Sequence, residues 1–171
     1  MGVVETLIAR NAQFAESGFD AGLTMRPKLT TIVVCCADTR VDPAVVLGAA
    51  PGEIMALRNI AGRITPDTLA ELYMLRSIAK AVGDPGYATW DLIVMQHTQC
   101  GILKIRDRPE LLAPYFEVDE SELGPVSVAD PHAGVAHDLT VLRADPRLEG
   151  ARVSGLVYDV ATGRVERVAG S

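Results

Sequence analysis

TIVVCCADTR, residues 31–40, joins an unbroken apolar run to two thiols, a carboxylate and a guanidinium. The run is short and rich in β-branched residues. That is the pattern of a strand buried on both faces, as in parallel sheets covered by helices. In open α/β sheets, sites form outside the carboxyl ends of the strands. A strand that finishes on Cys35 and Cys36, with Asp38 and Arg40 just beyond its end, therefore raises the question of what it serves. Adjacent strand residues point to opposite faces, which argues against joint ligation by Cys35 and Cys36.

Working outward, EIMALRNI (53–60) reads as a second buried strand and WDLIVMQH (90–97) as a third. Between them, TPDTLAELYMLRSIAKAVG reads as the best helix in the chain. Thr65 is its N-cap, Pro66 its first residue, and Gly83 follows its end. Residues 2 to about 17 read as an amphipathic helix, although MGVVET also fits the loose myristoylation pattern. Asp42 and Pro43 open a short helix closed by Pro51-Gly52, and Asp130 and Pro131 open a late one. A short helix is expected after Cys100, and loops with helical turns from Ile105 to Asp130. RVSGLVYDV, ATG and RVERVAG read as a strand and hairpin. Strands alternating with helices predict one α/β domain over 1–171. Its central sheet is mainly parallel, flanked by helices, with an antiparallel C-terminal extension.

Composition narrows the function classes. The chain has 171 residues, a formal net charge of −6 and no basic block. Binding to nucleic acid or to anionic membranes needs clustered Lys and Arg, so neither partner is expected. No apolar stretch approaches the roughly 20 residues that span a bilayer. The N-terminus has no basic n-region, so a cytoplasmic location is expected. Without an export signal, the three cysteines read as core residue, metal ligand or reactive thiol rather than as a disulfide framework.

Two strands end in metal-ligand residue types, Cys36 on one and His97 on the other, with Cys100 three residues further on. If the strands are neighbours, the three converge. Two thiolates and an imidazole suit Zn2+, and three protein ligands leave the fourth tetrahedral position open, as in catalytic sites. Each residue alone is weak evidence, since a cysteine in an apolar run is usually core. Asp38 and Arg40 read either as a surface ion pair or as groups supporting the site. In the second case the carboxylate orients the attacking water and the guanidinium holds the carboxylate ionised. His132 and His137 lack a second ligand pair and read as surface or packing residues.

CADTR (36–40), ALRNIAG (56–62) and HTQCG (97–101) together resemble the β-class carbonic anhydrases, whose signature is C-x-D-x-R followed by H-x-x-C-G. The resemblance implies Zn2+ on Cys36, His97 and Cys100, with Asp38 and Arg40 as a catalytic dyad. Ala61, Gly62 and Gly101 become substrate-pocket positions. The reaction implied is reversible hydration of carbon dioxide to bicarbonate and a proton. It also implies a homodimer or homotetramer, with the N-terminal helix packed on a partner subunit. Cys35 is then left as core. The chain departs from the family pattern at Gln99, Ile60 and Arg63, the last a charge that can alter access or anion affinity. Val33 stands where an allosteric branch of the family carries Trp.

Two other readings share the same residues. Carbonyl sulfide or carbon disulfide could be hydrolysed by the same centre. Alternatively the cysteines could form a non-catalytic zinc or redox-sensing cluster. The missing fourth Cys or His argues against structural zinc.

Overall fold

A computed structural model of the chain describes residues 2–124, 126 and 129–168, with Gly86 and Tyr87 described by backbone alone. Among these residues, five strands form one sheet in the order β2-β1-β3-β4-β5. They are β1 Thr31–Cys36, β2 Met55–Asn59, β3 Trp90–His97, β4 Ala151–Asp159 and β5 Arg164–Arg167. β2, β1, β3 and β4 pair in parallel, and β5 returns antiparallel to β4. This is the expected fold class. The Ala169–Gly170 end of the hairpin reading, and Pro125, Ser127 and Val128 within the 105–130 reading, lie outside the described residues.

The helices are α1 Val3–Ser17, α2 Pro43–Val46, α3 Pro66–Ala81, α4 Pro109–Phe116 and α5 Pro131–Ala144. Caps explain where several of them start. Thr65 accepts from the Thr68 amide, Asp42 from those of Ala44 and Val45, and Asp130 from that of His132. No helix among the described residues is long and apolar enough to cross a membrane.

Side-chain alternation divides the core. Val34, Leu92, Val94 and Val157 face Leu72 of α3 and Val135, Leu139 and Leu142 of α5. Val33, Cys35 and Met95 pack on the other face against Val46, Leu47 and Ile54. Burying such side chains is worth roughly 1.5–3 kcal/mol each before entropy is counted.

Three expectations need correction. β2 is half-exposed on alternate residues because it is the sheet's edge, paired with β1 alone. α2 is a single turn that ends well before Pro51-Gly52. The 105–130 region contains a true helix, α4, whose internal Pro114 disguised it as loop.

Register positions the site. β1 pairs β3 with Cys35 opposite Met95, so the continuing register sets Cys36 level with Gln96 and beside His97. The carboxyl ends of the two ligand-bearing strands therefore meet. A separate apolar cavity of ≈ 130 Å³, touching Met25, Ile32, Met55, Leu75 and Trp90, lies towards the strands' amino ends.

Candidate metal centre

Cys36 closes β1 on the α3/α5 face of the sheet, while Cys35 turns into the opposite core and is fully buried. Burial pushes the Cys35 thiol up to about 12, so it stays protonated and inert. The two cysteines are thus separated by strand geometry, as alternation requires.

His97 closes β3. Its Nδ1 lies 2.9 Å from the Thr98 carbonyl oxygen, which suits donation from Nδ1 and leaves Nε2 with its lone pair free. Among the described residues, His97 Nε2 and Trp90 Nε1 are the buried side-chain nitrogens without a hydrogen-bond partner. A tight turn then brings Cys100 back towards the strand. Gln99 adopts a left-handed φ of 55° inside it. The Thr98 amide donates to Tyr158 O at 3.0 Å, and its hydroxyl donates to Asp159 Oδ1 at 3.2 Å.

The ligand atoms of Cys36, His97 and Cys100 all lie within 4.8 Å of one another. The two sulfurs are 3.8 Å apart. Thiolates bound at about 2.3 Å around a tetrahedral ion sit about 3.8 Å from each other, so the pair already has chelating separation. Contact with the Cys100 thiol holds Cys36 down to about 4, and the same contact pushes Cys100 up. The orphaned imidazole nitrogen, the sulfur spacing and the soft donor set all fit a metal ion.

Asp38 and Arg40 stand beside this trio. Asp38 Oδ2 is 4.0 Å from His97 Nε2. Arg40 donates to Asp38 from Nε at 3.0 Å and Nη2 at 2.7 Å, and its amide donates at 2.9 Å. These bonds hold the Asp38 carboxyl well below the usual carboxylate range. Arg40 Nη2 also donates to Gln99 O at 3.0 Å, tying the dyad to the ligand turn. That contact uses the Gln99 backbone, so the departure from the family pattern at this side chain leaves it intact.

Of the expected pocket residues, Ala61 lines a cavity of ≈ 200 Å³ with Arg63, Gln96, His97, Cys100 and Ile102. Gly62 and Gly101 are not among its lining residues. Gly62 has φ +64°, and a Cβ there would come within 2.8 Å of the Cys36 amide nitrogen. Its role is close backbone approach. Gly101 begins a short 3-10 helix, Gly101–Ile105. Arg63, the charged departure from the family pattern, does line this cavity, but it is 1% exposed and its guanidinium is held in a bidentate pair with Asp138.

Arg58 escaped the sequence reading. Its side chain donates to Cys36 O at 3.1 Å and Asp38 O at 2.8 Å, clamping the backbone on both sides of Ala37. Its place in RNIAG was visible, but its acceptors were not. His132 pairs with Glu166 and Asp130 at the surface, and neither it nor His137 joins the trio.

A family profile described as carbonic anhydrase matches residues 31–120, the span that carries the trio and the dyad. The chain belongs to the β-class carbonic anhydrases. It is 29% identical over 170 residues to Beta-carbonic anhydrase 1 of Mycobacterium tuberculosis, covering 98% of this chain and 99% of that protein. A solved carbonic anhydrase from Streptococcus mutans is 29% identical with a TM-score of 0.76, covering 98% of each chain. One from Glaciozyma antarctica is 25% identical with a TM-score of 0.76, covering 99% of this chain and 100% of that one. The family is metal-dependent, and Cys36, His97 and Cys100 form the group of described residues able to hold an ion.

Proposed function

We propose that the chain is a Zn2+-dependent enzyme that reversibly hydrates carbon dioxide to bicarbonate and a proton. The observation that carries this reading is the unpartnered His97 Nε2, grouped with two sulfurs at chelating separation and with Asp38 4.0 Å away. Cys36, His97 and Cys100 would hold the ion, leaving one position open to water or substrate. Bound Zn2+ supplies the Lewis acidity that makes water nucleophilic near neutral pH.

The chain's own residues supply the orientation. Asp38 Oδ2 is placed to accept a hydrogen bond from the attacking water and aim its lone pair at the carbon. Arg40 keeps that carboxylate ionised, so Asp38 acts as an acceptor and not as a proton store. Ala61 and Ile102 give the cavity apolar wall suited to an uncharged substrate. Two anionic thiolates neutralise more of the ion's charge than imidazoles would, so activity should rise with pH.

The working unit is a homodimer or a pair of dimers. Support comes from α1, which buries none of its residues and leaves Val3, Val4, Leu7, Ile8 and Phe14 exposed. An apolar helix face of this kind needs a covering surface, and a second subunit would supply one. Thiolate ligands favour a reducing compartment such as the cytoplasm.

Elemental analysis with stopped-flow hydration of carbon dioxide tests the proposal. One zinc per chain and hydration that increases with pH are expected. Zinc well below that ratio, or hydration no faster than background, overturns it. Turnover of carbon disulfide or carbonyl sulfide without hydration of carbon dioxide would overturn the substrate alone. Sedimentation of Leu7→Glu, expected as a smaller species than wild type, tests the assembly.

A further inference from the structure

Asp138 is 1% exposed on α5 and belongs to neither the trio nor the dyad. Its oxygens accept from Arg63 Nε at 2.9 Å, Arg63 Nη2 at 3.1 Å, the Ile64 amide at 3.3 Å and Gln96 Nε2 at 3.1 Å. Three of these bonds fall on Oδ2 and one on Oδ1, so both oxygens are engaged. Arg63 also donates to Val126 O, and its guanidinium lies 5.2 Å from the Phe116 ring centroid.

Taking an ion pair out of water is costly, and apolar residues of similar volume often stabilise a fold as well or better. Bulk stability is therefore a poor reason for this cluster in a core otherwise made of Val94, Val135 and Leu139. The position of its donors offers a better one. Gln96 immediately precedes His97 on β3. Arg63 immediately follows Gly62, the residue packed against the Cys35–Cys36 backbone. One carboxylate thus grips the chain beside one ligand and beside the turn that braces another. α5 is also pressed close to Gln96, since a Cβ on Gly134 would come within 2.6 Å of Gln96 Oε1.

We infer that Asp138, with Arg63 and Gln96, is a positioning cluster that sets the spacing of His97 against Cys36 and thereby governs how tightly and in what geometry the metal is held. The inference rests on the metal-centre reading above. Asp138 acts through the backbone next to the ligands and is not itself a ligand.

Two full-length variants test it. Gln96→Met cuts the link beside His97 at nearly constant volume and keeps the Arg63–Asp138 pair. The double variant Arg63→Met with Asp138→Leu replaces the pair by apolar side chains. The measurements are the rate of zinc loss to a chelator and the visible spectrum of the Co2+-substituted protein. The spectrum reports ligand geometry, which simple destabilisation of the fold leaves unchanged. Gln96→Met should lose zinc about tenfold faster than wild type, with an altered Co2+ spectrum, the scale usual when a group supporting a metal ligand is removed. The double variant should behave alike, and if it fails to fold, Gln96→Met decides alone. Wild-type rates and spectra in the folded variants would overturn the inference and leave the metal centre standing. A wild-type chain that retains no metal would instead overturn the metal-centre reading, and this one with it.

Discussion

Arg40 Nη2 donates to the Asp38 carboxylate at 2.7 Å and to the Gln99 carbonyl at 3.0 Å. One guanidinium thus joins the loop after Cys36 to the turn between His97 and Cys100. The planar fork matters more than the charge, because it sets the direction of both loops at once.

Arg40→Lys should therefore keep the metal but lose hydration activity by about 10–100-fold, since an ammonium cannot reproduce the fork. Asp38→Ala should show a comparable loss and an altered pH profile between about pH 6 and 9. Stopped-flow kinetics beside zinc analysis checks both. Unchanged profiles would remove the dyad from the mechanism.

The neighbouring cysteines should separate cleanly. Cys36→Ser should abolish stoichiometric zinc. Cys35→Ala, on the other sheet face, should retain zinc and cost about 1–2 kcal/mol through lost packing. Metal content and urea midpoints of the two variants give the answer. Zinc lost from Cys35→Ala would mean that the sheet faces have been assigned the wrong way round.

Gly62→Ala should be severe for so small a change. Its φ of +64° disfavours any L side chain, and its Cβ would meet the Cys36 amide at 2.8 Å. A destabilisation of about 1–3 kcal/mol is expected, with weaker metal retention because the displaced backbone carries a ligand. Thermal unfolding followed with and without a chelator would show whether the two effects travel together.

A structural ion pair predicts a pH dependence away from the site. Arg152 donates to Asp91 at 2.9 Å and 2.6 Å, holding its carboxyl below the ordinary carboxylate value. A depressed folded-state value adds stability above the unfolded value, about 3.9. That contribution is lost as pH falls through the folded value. The Asp91 side chain is 35% exposed, so screening keeps the gain below about 1 kcal/mol. Asp91→Asn should be slightly less stable than wild type near neutrality, and the difference should vanish in strong acid. Urea unfolding at both extremes decides the point.

Much of this molecule was legible from local chemistry. Thr65-Pro66 and Asp130-Pro131 start helices because a cap acts within one turn. Cys36, Asp38 and Arg40 could be grouped because they lie within five residues of one another at the end of one strand. α4 was not legible, because Pro114 mimics a breaker and the helix is held by the packing of Leu112 and Phe116. β2 read as buried because its composition does not reveal that it lies at an edge.

The sequence by itself determined the α/β class, the ligand types and which of Cys35 and Cys36 keeps register with Asp38 and Arg40. These depend on interactions a few residues long. Tertiary structure alone decided that β1 and β3 are neighbours and that Cys36 and Cys100 sit 3.8 Å apart. It also decided that Arg63, at the edge of the site cavity, is a buried partner of Asp138, 75 positions away. Which donors meet which acceptors across such separations depends on how the sheet and helices close on one another, and no local pattern encodes that.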